Sequence, residues 1–149
     1  MKIVAFADVH DNFAKVTTAL RRMTSVDVAI IAGDITTCGT PAEAQAAIAS
    51  WRPFVPQLLA VAGNMDSPSI DLALERLGVS INGCCRQIDS VGFFGCSAAP
   101  VSIHTPYEIP ESEISARVER GFRQAKGAAQ LVFVPHAPPL AGILKGQLI

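Results

Sequence analysis

Four short apolar runs in this chain each stop at a side chain able to bind a cation. Ile3 to Ala7 runs into Asp8 and His10, and Val28 to Ala32 runs into Gly33 and Asp34. Leu58 to Ala62 runs into Gly63 and Asn64, and Leu131 to Val134 into Pro135 and His136. Apolar runs of this length, bounded by polar residues, read as strands buried on both faces, the habit of a parallel sheet. Open α/β sheets place their ligands at the carboxyl ends of strands. If the four strands lie side by side, Asp8, His10, Asp34, Asn64 and His136 converge on one edge. Asp8 and His10 are two residues apart and can turn to the same side of an extended chain. The glycines at 33 and 63 allow a tight turn and leave room beside the residue that follows.

The stretches between the runs carry helical spacing. Phe13, Val16, Leu20 and Met23 form one apolar stripe, with Asp11 or Asn12 placed to cap it. Thr40, Pro41 and Glu43 form a capping box with proline at the first helical position, and Ala44, Ala47, Ile48 and Trp51 mark the buried face. Ser67 and Pro68 start a third helix with Ile70, Leu74 and Leu77 inward. The first half is therefore β-α-β-α-β-α, a parallel sheet with helical crossovers. The rhythm then changes. Val79 to Ile81, Arg86 to Ile88 and Val91 to Cys96 read as short strands, the last two joined at Asp89-Ser90 as a hairpin. Ser97 to Pro110 reads as a long loop. Glu111 to Ala125 reads as a helix with Ile114, Val118 and Phe122 on one face, and the tail from Ala137 to Ile149 has no clear element. Trp51, Phe93 and Phe94 read as core.

The chain has 149 residues, of which 50% are hydrophobic and 17% charged, as expected of one globular domain with a real core. A net charge of −1 gives no long-range pull toward nucleic acid or an anionic membrane. The absence of a long apolar span and of a signal-peptide layout makes a cytoplasmic location the expectation. Cys38, Cys84, Cys85 and Cys96 lack zinc-ribbon spacing and are expected as buried free thiols. No G-x-G-x-x-G turn follows the first strand, which argues against a plain nucleotide-binding module.

Two carboxylates about 4 Å apart, as Asp8 and Asp34 would be, repel by about 4 kcal/mol at an effective dielectric near 20. They need a counter-charge. No Lys or Arg occurs within the four motifs, although the fold could bring Arg86 or Lys145 near. Divalent cations supply that charge. Carboxylate, amide oxygen and imidazole together suit manganese, iron, zinc or cobalt better than calcium.

D-V-H, then G-D, then G-N-M-D, then a later His resembles the calcineurin-like metallophosphoesterases, whose pattern is D-x-H, G-D, G-N-x-D, H and finally G-H-x-H. The segments Thr105-Pro106-Tyr107-Glu108-Ile109-Pro110-Glu111 and His136-Ala137-Pro138-Pro139 also resemble the small Icc-related branch. The resemblance implies an α/β (α+β by some schemes) αββα sandwich of two mixed sheets. It implies two divalent ions, with Asp8 and His10 on one, Asn64 and His136 on the other, and Asp34 bridging. It further implies hydrolysis of a small phosphomonoester or phosphodiester by a metal-held hydroxide.

Two departures from the family pattern bear on activity. Met65 stands where many members have a histidine beside the leaving group, and methionine has no proton to give. Asp66 is then expected to orient neighbours. No G-H-x-H follows His136, so the domain, 1–149, is expected to lack its C-terminal part and a portion of its second sheet. An exposed edge of that kind makes self-association an expectation. His104 lies in the proline loop near where substrate would enter, and is expected as a solvent-exposed loop histidine rather than a catalytic or substitute-ligand residue. The rival to an enzyme is a non-catalytic scaffold or binding protein on the same fold, or an inactive truncated fragment.

Overall fold

Strands β1 (Ile3–Phe6), β2 (Val28–Ala32) and β3 (Gln57–Val61) lie in chain order, every pair parallel, in the computed structural model, which describes residues 1–102 and 104–138. Side chains alternate across each strand. Ala29, Ile31, Leu58 and Ala60 enter one apolar cluster, packed against the helices, while Val28, Ile30, Leu59 and Val61 enter a second. β2 and β3 are buried on both faces and have no room for polar residues. The edge strand β1 instead alternates exposed and half-buried positions, and the run Leu131 to Val134 is exposed at Leu131 and Phe133, against the expectation of burial on both faces.

The helical side is made by α1 (Phe13–Arg22), α2 (Pro41–Trp51) and α3 (Pro68–Arg76). The capping box of α2 is formed: Glu43 N–H donates to Thr40 Oγ1 at 3.3 Å, and Thr40 N–H to Glu43 Oε2 at 2.7 Å. Ala44, Ala47, Ile48 and Trp51 are all buried, as expected. Ser67 caps α3 through Ile70 N–H. Asn12 occupies the cap position of α1 without capping it, because its amide turns back to the carbonyls of Val9 and His10. Met23, expected on the stripe of α1, falls beyond the helix and is exposed.

The second layer is a mixed sheet of β4 (Cys85–Ile88), β5 (Val91–Cys96) and β8 (Gln130–Pro135), with the two-residue pair β6 (Ala99–Pro100) and β7 (Glu108–Ile109) and helix α4 (Glu111–Gln124) between β5 and β8 in the chain. β4 and β5 form the antiparallel hairpin expected at Asp89-Ser90, and β8 runs parallel to β5. Val91, Phe93 and Val134 face Val28, Ile30, Leu59 and Val61 between the layers. On the outer face Phe94 meets Phe122 of α4 and stacks on Phe133. The order of layers is helix, sheet, sheet, helix. Among the described residues only the second large sheet is mixed.

Four further expectations change. Val79 to Ile81 is not a strand but two isolated bridges, Ala60 to Ser80 and Asn82 to Gly95. The segment pairs with β3 and then at once with β5, so no ladder can grow on either side. The loop from 97 to 110 contains the short β6–β7 pair. On α4 the residue buried against the sheet is Gly121, and Phe122 is 46% exposed. Gly121 has no side chain to hold the helix off Phe94. Ile114 and Val118 instead line an open apolar groove of about 490 Å³ together with Phe133. The thiols are free, but Cys38 is exposed and only Cys96 is fully buried. No helix among the described residues is long and apolar enough to cross a membrane. The tail expected to lack clear structure lies outside the described residues from position 139 on.

Urea unfolding distinguishes the two faces of the second sheet. Phe93→Ala, wholly buried between the sheets, is expected to cost about 3–5 kcal/mol. Phe122→Ala should cost about 1 kcal/mol, the size of a ring pair. Equal costs would contradict this assignment of the core.

Candidate metal centre

The site forms where the first sheet's strand ends meet the end of β8 from the second. Beyond β1 the parallel pairing continues into the loop: Asp8 N–H donates to Gly33 O, His10 N–H to Asp34 O and Asp11 N–H to Ile35 O. Asp8, His10 and Asp34 all adopt the left-handed conformation, with φ of 52°, 45° and 48°. Each costs about 1–2 kcal/mol for an L residue, and such strain persists where surrounding contacts impose it. Asp8 and His10 therefore do not meet through an extended chain, as expected from their spacing. Asp8 groups with Asp34 and His136, and His10 reaches Asp34 separately.

Asp34 is the centre of the group. Its carboxylate is buried, with Oδ2 3.5 Å from His10 Nε2 and Oδ1 3.5 Å from His136 Nε2. Oδ1 also accepts Met65 N–H at 2.8 Å. Burial pushes the Asp34 carboxyl above the ordinary carboxylate range, and Asp66 adds to the rise; the Met65 N–H and the two imidazoles act the other way. One ligand atom each from Asp8, Asp34 and His136 lies within 4.8 Å of the other two. The exposed Asp8 carboxylate has no hydrogen bond or ion pair among the described residues. Arg86 does not supply the counter-charge, because its guanidinium donates to Gly78 O, and Lys145 lies outside the described residues. No Lys or Arg among the described residues pairs with Asp8 or Asp34.

The histidine contacts fix which ring nitrogens face the cluster. His136 Nδ1 is 3.0 Å from Ala32 O. A carbonyl only accepts, so Nδ1 carries the proton and the Nε2 of a neutral ring presents a lone pair. That lone pair faces Asn64 Oδ1 at 2.8 Å. Two acceptors at this distance repel unless something positive lies between them or the amide turns to donate. His10 Nδ1 is 3.1 Å from Thr37 Oγ1, and with Thr37 accepting, its Nε2 lone pair points at Asp34. A second partner holding the far nitrogen of each ring is the usual arrangement around metal-binding histidines. The donor set, carboxylate and amide oxygens with two imidazole nitrogens, fits first-row divalent cations.

Close packing explains the glycines. A Cβ on Gly33 would strike the His136 ring, and one on Gly63 would strike the Asp34 carboxylate. The room is used by residues distant in sequence, not by the next residue in the chain. Asp66, wholly buried, accepts N–H groups from Ile35, Thr36 and Gly63 at 3.0, 2.8 and 2.9 Å and the Thr36 hydroxyl at 2.9 Å. It ties the turn after β2 to the turn after β3, the orienting role expected of it. Asp11 accepts Thr37 N–H. His104 is exposed and makes no hydrogen bond to the group. Thr37 and the Ala32 carbonyl had no signal in the sequence: one is an ordinary loop hydroxyl and the other a backbone atom.

An α/β sandwich with a nitrogen and oxygen donor cluster at its strand ends defines a class of metal-site proteins. Residues 1–137 match the calcineurin-like phosphoesterase superfamily domain, and the chain belongs to that superfamily. No curated protein matches the chain.

Asp34 is expected to set the pH response of stability and, if it binds the metal, the metal response. Its folded pKa stands above its unfolded one, so the ionised group burdens the metal-free fold. That burden is absent below the unfolded pKa and is complete once pH passes the folded value. Asp34→Asn is therefore expected to raise the metal-free Tm at pH 7. Manganese at about 100 times its Kd should stabilise the parent by about 2.7 kcal/mol and the variant by almost nothing. Equal gains in calorimetry would remove Asp34 from the site.

Proposed function

We propose that the protein is a metal-dependent phosphoesterase acting on small phosphomonoesters or phosphodiesters. The observation that carries this reading is the cluster itself: a buried carboxylate, Asp34, that touches two imidazoles, with an Asp8 oxygen within 4.8 Å and Asn64 2.8 Å from His136 Nε2. Asp8 and His10 would hold one divalent ion and Asn64 and His136 the other, with Asp34 shared, since its two oxygens face different rings. When bound, manganese, iron, zinc or cobalt ions supply Lewis acidity to a phosphoryl oxygen and lower the pKa of water to near 7.

The chain's own residues prepare that site. Thr37 and Ala32 O hold the far nitrogens of the two rings, so both Nε2 atoms face Asp34. Met65 N–H holds Asp34 from turning away, and Asp66 keeps the two turns at a fixed separation. No reorganisation of these groups is then needed when substrate arrives. Met65 offers no proton to a departing oxygen, which favours leaving groups stable as anions, such as aryl oxides. The same residue supports a second reading, a protein that binds metal on this fold without turnover.

The test is hydrolysis of p-nitrophenyl phosphate and its bis ester by the manganese-loaded protein. Asp34→Asn is expected to lower either rate at least about 100-fold, the upper range for disturbing a metal site's support. Aryl esters should outrun alkyl esters. Equal rates in parent and variant would remove the enzyme reading. Metal uptake without turnover would establish the second one.

A further inference from the structure

We infer that Asp71, on the first turn of α3, is a positioning residue for Asn64, acting through Ser97 and Tyr107. Its carboxylate takes three donors: Ser97 Oγ at 2.8 Å, Asn82 Nδ2 at 2.7 Å and the Tyr107 hydroxyl at 2.8 Å. The directions are fixed by chemistry. Ser97, wholly buried, spends its one hydroxyl proton on Asp71 and accepts Ala62 N–H at 3.0 Å. Tyr107 must also donate to Asp71, because Arg117 Nη1, which only donates, reaches the same phenol oxygen at 2.9 Å. The backbone N–H of Tyr107 then donates to Asn64 O at 3.0 Å. One carboxylate thus grips the chain at residue 62 through one arm and at residue 64 through the other.

The remaining contacts close the frame. Asn82 Oδ1 accepts Ser97 N–H at 3.1 Å, tying the two arms' partners together. Arg117 pairs with Glu113 on α4 at 2.9 Å, which braces the phenol from behind. Burial pushes the Tyr107 hydroxyl up to about 12, so it stays a donor throughout the working range. The Glu108 carboxylate gathers Ser102 N–H, Thr105 N–H and the Thr105 hydroxyl, and so shapes the turn that delivers Tyr107. This accounts for the Thr105 to Glu111 segment, which the centre itself does not use. On the other side, Asp66 holds Gly63 N–H and Asp34 holds Met65 N–H. Asn64 sits between two sets of restraints, and loosening the outer set frees its side chain relative to His136.

The functional consequence rests on the metal reading of Asn64; the positioning does not. The test uses Tyr107→Phe and Ser97→Ala in the full chain. In the metal-free protein, exchange of the Tyr107 amide in the first variant and of the Ala62 amide in the second is expected to rise about 10-fold or more, with Ile30 and Ile31 unchanged. With Co²⁺ or Mn²⁺, one of two binding steps should weaken about 10- to 100-fold while the other holds. Unchanged exchange at residues 62 and 107, or acceleration spread evenly over β2, would overturn the inference. If exchange rises as expected and both metal steps stay as in the parent, positioning of the side chain is likewise overturned. A parent chain that takes up no metal would instead fail the functional reading, and the exchange result alone would decide the positioning.

Discussion

A buried carboxylate flanked by two imidazoles governs the architecture around it. Taking Asp34 out of water costs several kcal/mol unless charge and hydrogen bonds offset it. One backbone N–H and two rings at 3.5 Å are what the described residues provide. The shortfall is tolerated because the rest of the fold holds Asp34 in place. Gly33 and Gly63 clear the space, Asp66 ties the adjoining turns, and the left-handed turns at Asp8, His10 and Asp34 are held by pairing that outlasts the strands. Strain and burial gather at one place, the candidate metal centre.

The sandwich supplies the means. Asp8, His10, Asp34 and Asn64 follow strands of the first sheet, whereas His136 follows β8 of the second. Their meeting depends on how the layers pack, through Val28, Ile30, Leu59 and Val61 on one side and Phe93 and Val134 on the other. Hydrophobic burial between the sheets is therefore also what sets the distance from His136 to Asp34. The Asp71 frame adds a polar brace across the same junction, joining α3, the end of β5 and α4 behind Asn64.

Much of this was legible because the signals were local. Strands buried on both faces leave unbroken apolar runs, and the Thr40 capping box and the Asp89-Ser90 hairpin are written in a few adjacent residues. The five candidate residues were found through their strand-end positions and their order. What escaped was set by packing. Val79 to Ile81 looks like a strand but changes partner within three residues, and Gly121 brings α4 onto Phe94, leaving Phe122 half-exposed beside that ring. Left-handed turns at non-glycine residues, the Ala32 carbonyl and the three-donor arrangement at Asp71 arise from contacts between distant segments. Neither spacing nor residue type announces them.

Anomalous diffraction at the manganese edge, from crystals grown with manganese, addresses the central claim most directly. Two peaks about 3.5–4 Å apart, one beside Asp8 and His10 and one beside Asn64 and His136, with Asp34 between them, are the predicted result. Manganese bound elsewhere, or no peak with these five side chains in their present places, would contradict it.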